Sequence, residues 1–259
     1  MPTLILTVAA VGGFVVALIV AMEIGRRMGR IAFTASDATT RPAGLAAVEA
    51  VAFGLLGLLL AFTFSGAAAR LDARRAQIVD EANAIGTAWL RLDVLPSAAQ
   101  PMLRDAFRRY TDSRVALYRT FSESGREAAR AEYARSAGLQ KEIWAAAIAA
   151  CREAPSTAVV VLPAINAMFD IASTRFAAAR MHPPLVVYLV LAVISLVCGF
   201  LVGYEMGATA APSRAHMLVL AAILSFTFYV ILDFEYPRLG IIRIDDFDRL
   251  IADVRASMV

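Results

Sequence analysis

The sequence predicts an all-α, polytopic membrane protein: four transmembrane helices in two pairs, with a water-exposed helical domain between the pairs. Three observations carry that prediction. The 259 residues are 59% hydrophobic and 18% charged, with a mean hydropathy of +0.65; a soluble domain is nearer half apolar and about a quarter charged. The apolar excess gathers in two stretches near the N-terminus and two near the C-terminus. Between them, apolar residues recur every three or four positions, as in helices, with no strand-like alternation.

The first span runs from about Leu4 to Met22, close to the roughly 20 residues that cross about 30 Å of hydrocarbon. It lacks a basic leader and ends at Glu23-Ile24-Gly25-Arg26-Arg27 rather than at a small-residue cleavage site, so a retained helix is expected. A polar loop is predicted from Arg26 to Arg41, with Pro42 in the first turn of the next helix. The second span runs from about Ala43 to Ala69 and continues into Arg70-Leu71-Asp72-Ala73-Arg74-Arg75 with no proline. Helical spacing persists through Ile78, Ala82, Ile85, Trp89 and Leu92, which predicts one helix reaching well past the bilayer.

In the middle region, Leu103, Phe107, Tyr110, Arg114, Leu117 and Phe121 share a helical rhythm. Ser124 and Glu127 have capping-box spacing before a helix that Pro155 ends. A last soluble helix, with a bend expected near Pro163, stops before His182-Pro183-Pro184. The third span is about Leu185 to Tyr204; after a short turn the fourth runs from about Met217 to Leu232 and is ended by Asp233. Every span is helical, because open sheet edges are not tolerated in lipid. The expected domains are residues 1–69, 70–184 and 185–234, with a tail over 235–259.

The formal charge of +3, well mixed in sign, excludes nucleic acid as an expected partner. Cys151 and Cys198 build neither a metal site nor a disulfide framework. There is no phosphate-binding glycine loop, Ser-His-acid set or ligand-spaced His/Cys pair, so neither an enzyme nor a cofactor is expected. The acids Asp233, Glu235, Asp245, Asp246 and Asp248 are interleaved with Arg238, Arg243 and Arg249 and lack calcium-loop spacing, so no metal is assigned.

The second span holds the candidate site. Ala47, Ala50, Gly54, Gly57 and Ala61 fall on one face, small enough for a neighbouring helix to approach closely. Glu49, Phe53, Leu56, Leu60 and Phe64 form a second stripe: one acid near the membrane edge, then bulky apolar rings. Two roles fit that stripe. In a homo-oligomer it would line a pore with a hydrophobic constriction, which gates by dewetting; otherwise it packs on lipid or on the first span. Beyond the membrane, Arg70, Asp72, Arg74, Arg75, Asp80, Glu81 and Asn83 mix charge signs on adjacent turns, as solvated paired faces do. Asn166 and Asp170, one turn apart with Arg175 beyond, are expected to tie helices together.

Gly54-Leu-Leu-Gly57-Leu-Leu-Leu-Ala-Phe-Thr63-Phe-Ser65, then Arg70-x-Asp72-x-Arg74-Arg75, then Glu81-Ala-Asn83-Ala-Ile-Gly86-Thr87, resemble the bestrophin-like family of bacterial membrane proteins. Asn166, Asp170, Arg175 and the Asp233…Pro237-x-x-Gly240 stretch are similar too. The resemblance implies a distant relation to bestrophins: pentameric anion channels with two membrane pairs flanking cytoplasmic helices and a pore lined by the second span. Bestrophins carry Pro-Phe-Gly after the last span; here Tyr236-Pro237-Arg238-Leu239-Gly240 lacks that Phe, so their calcium clasp is not carried over. By the positive-inside rule the arginines lean toward a cytoplasmic middle domain and termini, against an Arg-dense first loop; the resemblance leans the same way and implies an inner-membrane protein. The expected function is therefore a homo-oligomeric ion channel lined by the second span, for anions by the resemblance, with the exit arginines able to concentrate anions and Glu49 favouring cations at the other mouth. From another class, it is a membrane-anchored sensor or scaffold whose helical domain binds a partner or ligand.

Overall fold

The computed structural model describes residues 2–35, 44–123, 126–208, 214–238 and 240–259. Eight α-helices follow in order among them: α1 Pro2–Ala35, α2 Leu45–Leu90, α3 Gln100–Glu123, α4 Arg126–Glu153, α5 Ala158–Ala178, α6 Leu185–Met206, α7 Arg214–Glu235 and α8 Asp245–Ala256. Short 3-10 turns lie at Arg91–Val94 and Pro155–Thr157, and the described residues contain no strand. The fold is all-α. Pro42, Ser124 and the turn before the fourth span lie outside the described residues.

The chain divides into two compact units, residues 1–70 with 182–236 and residues 71–181 with 237–259. Among the described residues, five helices are long and apolar enough to cross a membrane: α1, α2, α6 and α7, and also α5. α5 was expected among the water-exposed helices. It belongs to the second unit, where Arg175 lies on its buried side with Val161, Ile165, Met168 and Ala172. Pro163 sits within α5 without ending it.

In the first unit α1 lies along α6 through glycines. A Cβ added at Gly25 would overlap the carbonyl of Phe200, at Gly29 that of Tyr204, and at Gly203 that of Met22. Gly199 faces Leu18 and Met22, and Gly207 faces the backbone of Arg26 and Arg30, so the two helices run parallel. Lipid supplies no hydrophobic drive to associate helices, so such close backbone approach replaces it. Leu18, Met22, Leu56, Cys198, Met217, Ala221 and Leu224 form the core, with the Phe14 and Phe228 rings 4.5 Å apart.

Three boundaries differ from expectation. The loop predicted from Arg26 is helix to Ala35, because Glu23 accepts hydrogen bonds from Arg26 and Arg27 one turn on and the glycines hold that turn against α6. α7 continues through Asp233 to Glu235, since both acids are buried rather than left in water. The expected C-terminal tail contains α8, whose neighbourhood buries Ile244, Ile251 and Met258.

In the second unit α3 and α4 form a hairpin, α5 packs on α4 and α8 on α3. Ile78, Ile85 and Leu92 from α2 and the following 3-10 turn join Leu103, Phe107, Tyr110, Ile143 and Ile165 in the core. Trp89 packs against Phe107, Tyr110 against Phe169, and Tyr133 stacks on Phe176 at 3.9 Å.

Candidate functional site

α2 is 46 residues long, about 69 Å at 1.5 Å per residue. Nothing in Leu45–Leu90 breaks it: the run has no proline, and Ala and Leu, both strong helix formers, dominate. Its two faces fall the opposite way from the pore-lining expectation. The bulky stripe is the one the chain itself covers. Leu56 is only 2% exposed within the core, with Phe53 and Leu60 half-buried against it. Glu49 is half-buried, and Phe64 is the most exposed of the five, its ring 5.3 Å from that of Phe234. The physical reason is volume: large side chains fill the space between α2 and the core residues of α1, α6 and α7.

The small face is turned outward. Ala47, Ala50, Gly54, Gly57 and Ala61 are all exposed, and a Cβ added at Gly54 or Gly57 would meet nothing within 4 Å. Val51, Leu58 and Phe62 border them and are exposed as well. Among the described residues, no helix covers Gly54 or Gly57 on this face.

Where α2 ends its part in the first unit, Arg70 Nε donates to Glu235 Oε1 at 2.6 Å. His182 Nδ1 lies 3.4 Å from Glu235 Oε2, and the His182 ring stacks on Tyr236 with centroids 4.5 Å apart. Glu235 is fully buried. Thus the helix exit, the start of α6 and the end of α7 converge on one carboxylate.

The second unit is organised around Glu81, which is completely buried. Arg114 Nε donates to its Oε1 at 2.5 Å, Tyr118 Oη donates to Oε2 at 2.9 Å, and Arg175 also pairs with Oε2. Arg175 donates onward to Asp248 Oδ1 at 3.1 Å, and Arg238 reaches Asp248 Oδ2 at 2.7 Å. The Arg175 guanidinium lies 3.7 Å from the Tyr118 ring centroid, a cation–π arrangement. Burial alone would raise the Glu81 pKa; Arg114 and Arg175 outweigh it and hold the carboxyl below its usual range. Burial and the nearby Glu81 charge push the Tyr118 hydroxyl up, so it stays a donor. Tyr110, buried nearby, is pushed up to about 12, chiefly by burial.

The exit arginines are committed elsewhere. Arg74 is buried and donates to the Ala178 and Met181 carbonyls at 3.4 and 3.0 Å, capping the end of α5. Arg75 pairs with Asp72 at 3.3 Å and faces the Phe247 ring. Asp72, Asp80 and Asn83 remain on the exposed side of α2. Asn166 donates to Asp170 at 2.8 Å, both exposed on α5, so they bridge one turn and, among the described residues, tie no second helix. Pro237 is buried and Gly240 half-buried. Asp248, from the acidic run weighed for a cation, has both oxygens on arginines.

Sequence reasoning found Glu81 and Arg175 but not their partners Arg114, Tyr118, Asp248 and Arg238. Arg114 carried a visible signal, a charge in the apolar register of α3. It also missed the glycines of α1 and α6, although Gly25-x-x-x-Gly29 and Gly199-x-x-x-Gly203-x-x-x-Gly207 have the small-residue spacing that marks close helix pairs.

No curated protein and no solved structure matches this chain. The model of the bestrophin-like domain matches residues 36–246, which takes in α2, Glu81 with Arg114, Tyr118 and Arg175, and Glu235, and stops short of Asp248. With that match over most of its length, the chain belongs to the bestrophin-like family.

Proposed function

We propose that this membrane protein is one subunit of a homo-oligomeric, channel-like assembly whose axis is surrounded by α2. The observation that carries the reading is the outward small face of Ala47, Ala50, Gly54, Gly57 and Ala61, apolar and exposed among the described residues. Four helices, α1, the first half of α2, α6 and α7, cross the bilayer; the second unit lies on the cytoplasmic side of the inner membrane, and by family resemblance five subunits assemble. The pore lining shifts from Glu49, Phe53, Leu56, Leu60 and Phe64 to the opposite face, bordered by Val51 and Leu58. No catalytic role is assigned.

The ions carried are inorganic, and the exposed charges favour cations. Arg70 and Arg74 are held by Glu235 and by backbone carbonyls, which leaves them poorly placed to concentrate anions. Asp72 follows Gly54 by 18 residues, about five helical turns, and so falls on the same face; Asp80 and Asn83 are exposed beyond it.

Purified protein is expected to run as an oligomer by native mass spectrometry and to conduct ions in liposomes. Asp72→Asn with Asp80→Asn should move the reversal potential toward that of anions. A strictly monomeric particle, or liposomes with no flux, would overturn the proposal. Capture of a protein by the helical domain in a chain without flux would instead favour the membrane-anchored scaffold.

A further inference from the structure

The register of α1 on α6 fixes where the apolar part of α1 ends. A Cβ at Gly25 would meet the Tyr204 nitrogen and one at Gly29 the Tyr204 carbonyl, so the turn between them, which carries Arg27, stands level with Tyr204, the last residue of α6 before Glu205. α1 nonetheless continues to Ala35. The side of α1 turned away from α6 presents Val16, Val20, Ile24, Met28 and Ile31, all exposed, with Arg27 set among them.

Arg27 is the one charge in that stripe with free donors directed outward. Glu23 takes Arg26 through Nε and a terminal nitrogen at 2.8 and 2.6 Å and takes Arg27 only through Nε at 2.9 Å. The terminal nitrogens of Arg27 have no partner among the described residues, and its side chain is 75% exposed. Beside it a shallow groove of about 350 Å³ is lined by Ile19, Val20, Glu23, Ile24 and Arg27. The groove therefore has an apolar wall on the hydrocarbon side and a guanidinium at the level where the apolar span ends. A guanidinium forms paired, charge-assisted hydrogen bonds with a phosphate, and tyrosines such as Tyr204 collect at the same depth.

We infer that this face of α1 binds an anionic phospholipid, with its phosphate on the terminal nitrogens of Arg27 and an acyl chain along Val20 and Ile24. Glu23 does not repel the headgroup, because two arginines already share its charge. The site needs neither an oligomer nor conduction, so it stands apart from the channel reading.

The test is lipid binding to the full-length protein in detergent, followed by native mass spectrometry with added phosphatidylglycerol or phosphatidylcholine. Wild type should retain phosphatidylglycerol in preference to phosphatidylcholine. Arg27→Gln should weaken phosphatidylglycerol retention about tenfold, the size expected for losing charge-assisted hydrogen bonds, and leave phosphatidylcholine unchanged. Arg249→Gln, an exposed arginine of α8, should change neither. Equal retention of the two lipids, an unchanged Arg27→Gln, or the same loss in Arg249→Gln would overturn the inference. If Arg27→Gln fails to fold, Arg27→Lys keeps the charge without the paired donors, and a severalfold loss is expected there.

Discussion

The contact between α1 and α6 and the centre of the second unit solve the same problem by opposite means. The first has almost no side chain: glycines let backbones touch, and the attraction is dispersion over a close surface. The second buries charges, with two arginines and a tyrosine closing on Glu81 and a further arginine–aspartate pair extending outward. On the proposed placement, with the first unit in lipid and the second in water, the difference follows the solvent. Apolar side chains gain nothing by leaving lipid for another helix, whereas in water an apolar core such as that around Ile78, Ile85 and Phe107 supplies the drive, and the ions fix which helices meet.

Because of that contrast, the two regions are expected to fail differently. The largest effect is expected for Gly203→Leu. Its Cβ would overlap the Met22 carbonyl, and backbone cannot yield as a flexible side chain can; most of the folded protein should be lost on size exclusion in detergent. Normal yield and elution would break the glycine account. Next comes Glu81→Gln. Removing one partner of a buried ion pair typically costs about 3–5 kcal/mol, because Arg114 and Arg175 would stay buried and uncompensated. Both tryptophans, Trp89 and Trp144, lie in the second unit, so denaturant unfolding followed by their fluorescence reads that loss.

Acid should act on the same unit with a defined sign. The folded Glu81 carboxyl titrates below its unfolded value, which for glutamate is about 4.3. Its contribution is therefore complete above that value and is lost as pH falls through the depressed folded one. The tryptophan-detected midpoint should drop with acid in wild type and change less in Glu81→Gln; parallel curves would count against the network. The smallest effect is expected for Gly54→Ala. Open space receives the methyl, and helix propensity favours alanine by roughly 0.5–1 kcal/mol, so chain stability should hold or rise slightly.

Legibility differed along the chain for physical reasons. Hydropathy and proline positions placed α2, α6, the break at Pro155 and the start after Pro184, because each depends on local residues. α8 escaped, although Ile244, Ile251 and Met258 carry the spacing of a buried helical side, since a short amphipathic run is stabilised only by what it packs on. Asn166 and Asp170 looked like cross-links between helices, yet their one-turn spacing is satisfied within α5 itself.

For α2, the sequence by itself determined an unbroken helix with one small and one bulky face, because propensity, the absence of proline and the 3.6-residue period are local properties. Only the tertiary structure decided which face looks inward. That choice depends on the volume left between α1, α6 and α7, and the bulky stripe around Leu56 fills it, leaving Gly54 and Gly57 outside. The same holds for the charges. Glu81 and Arg175 were visible as charged residues 94 positions apart, but their pairing needed Arg114 and Tyr118 from α3, brought close by folding alone.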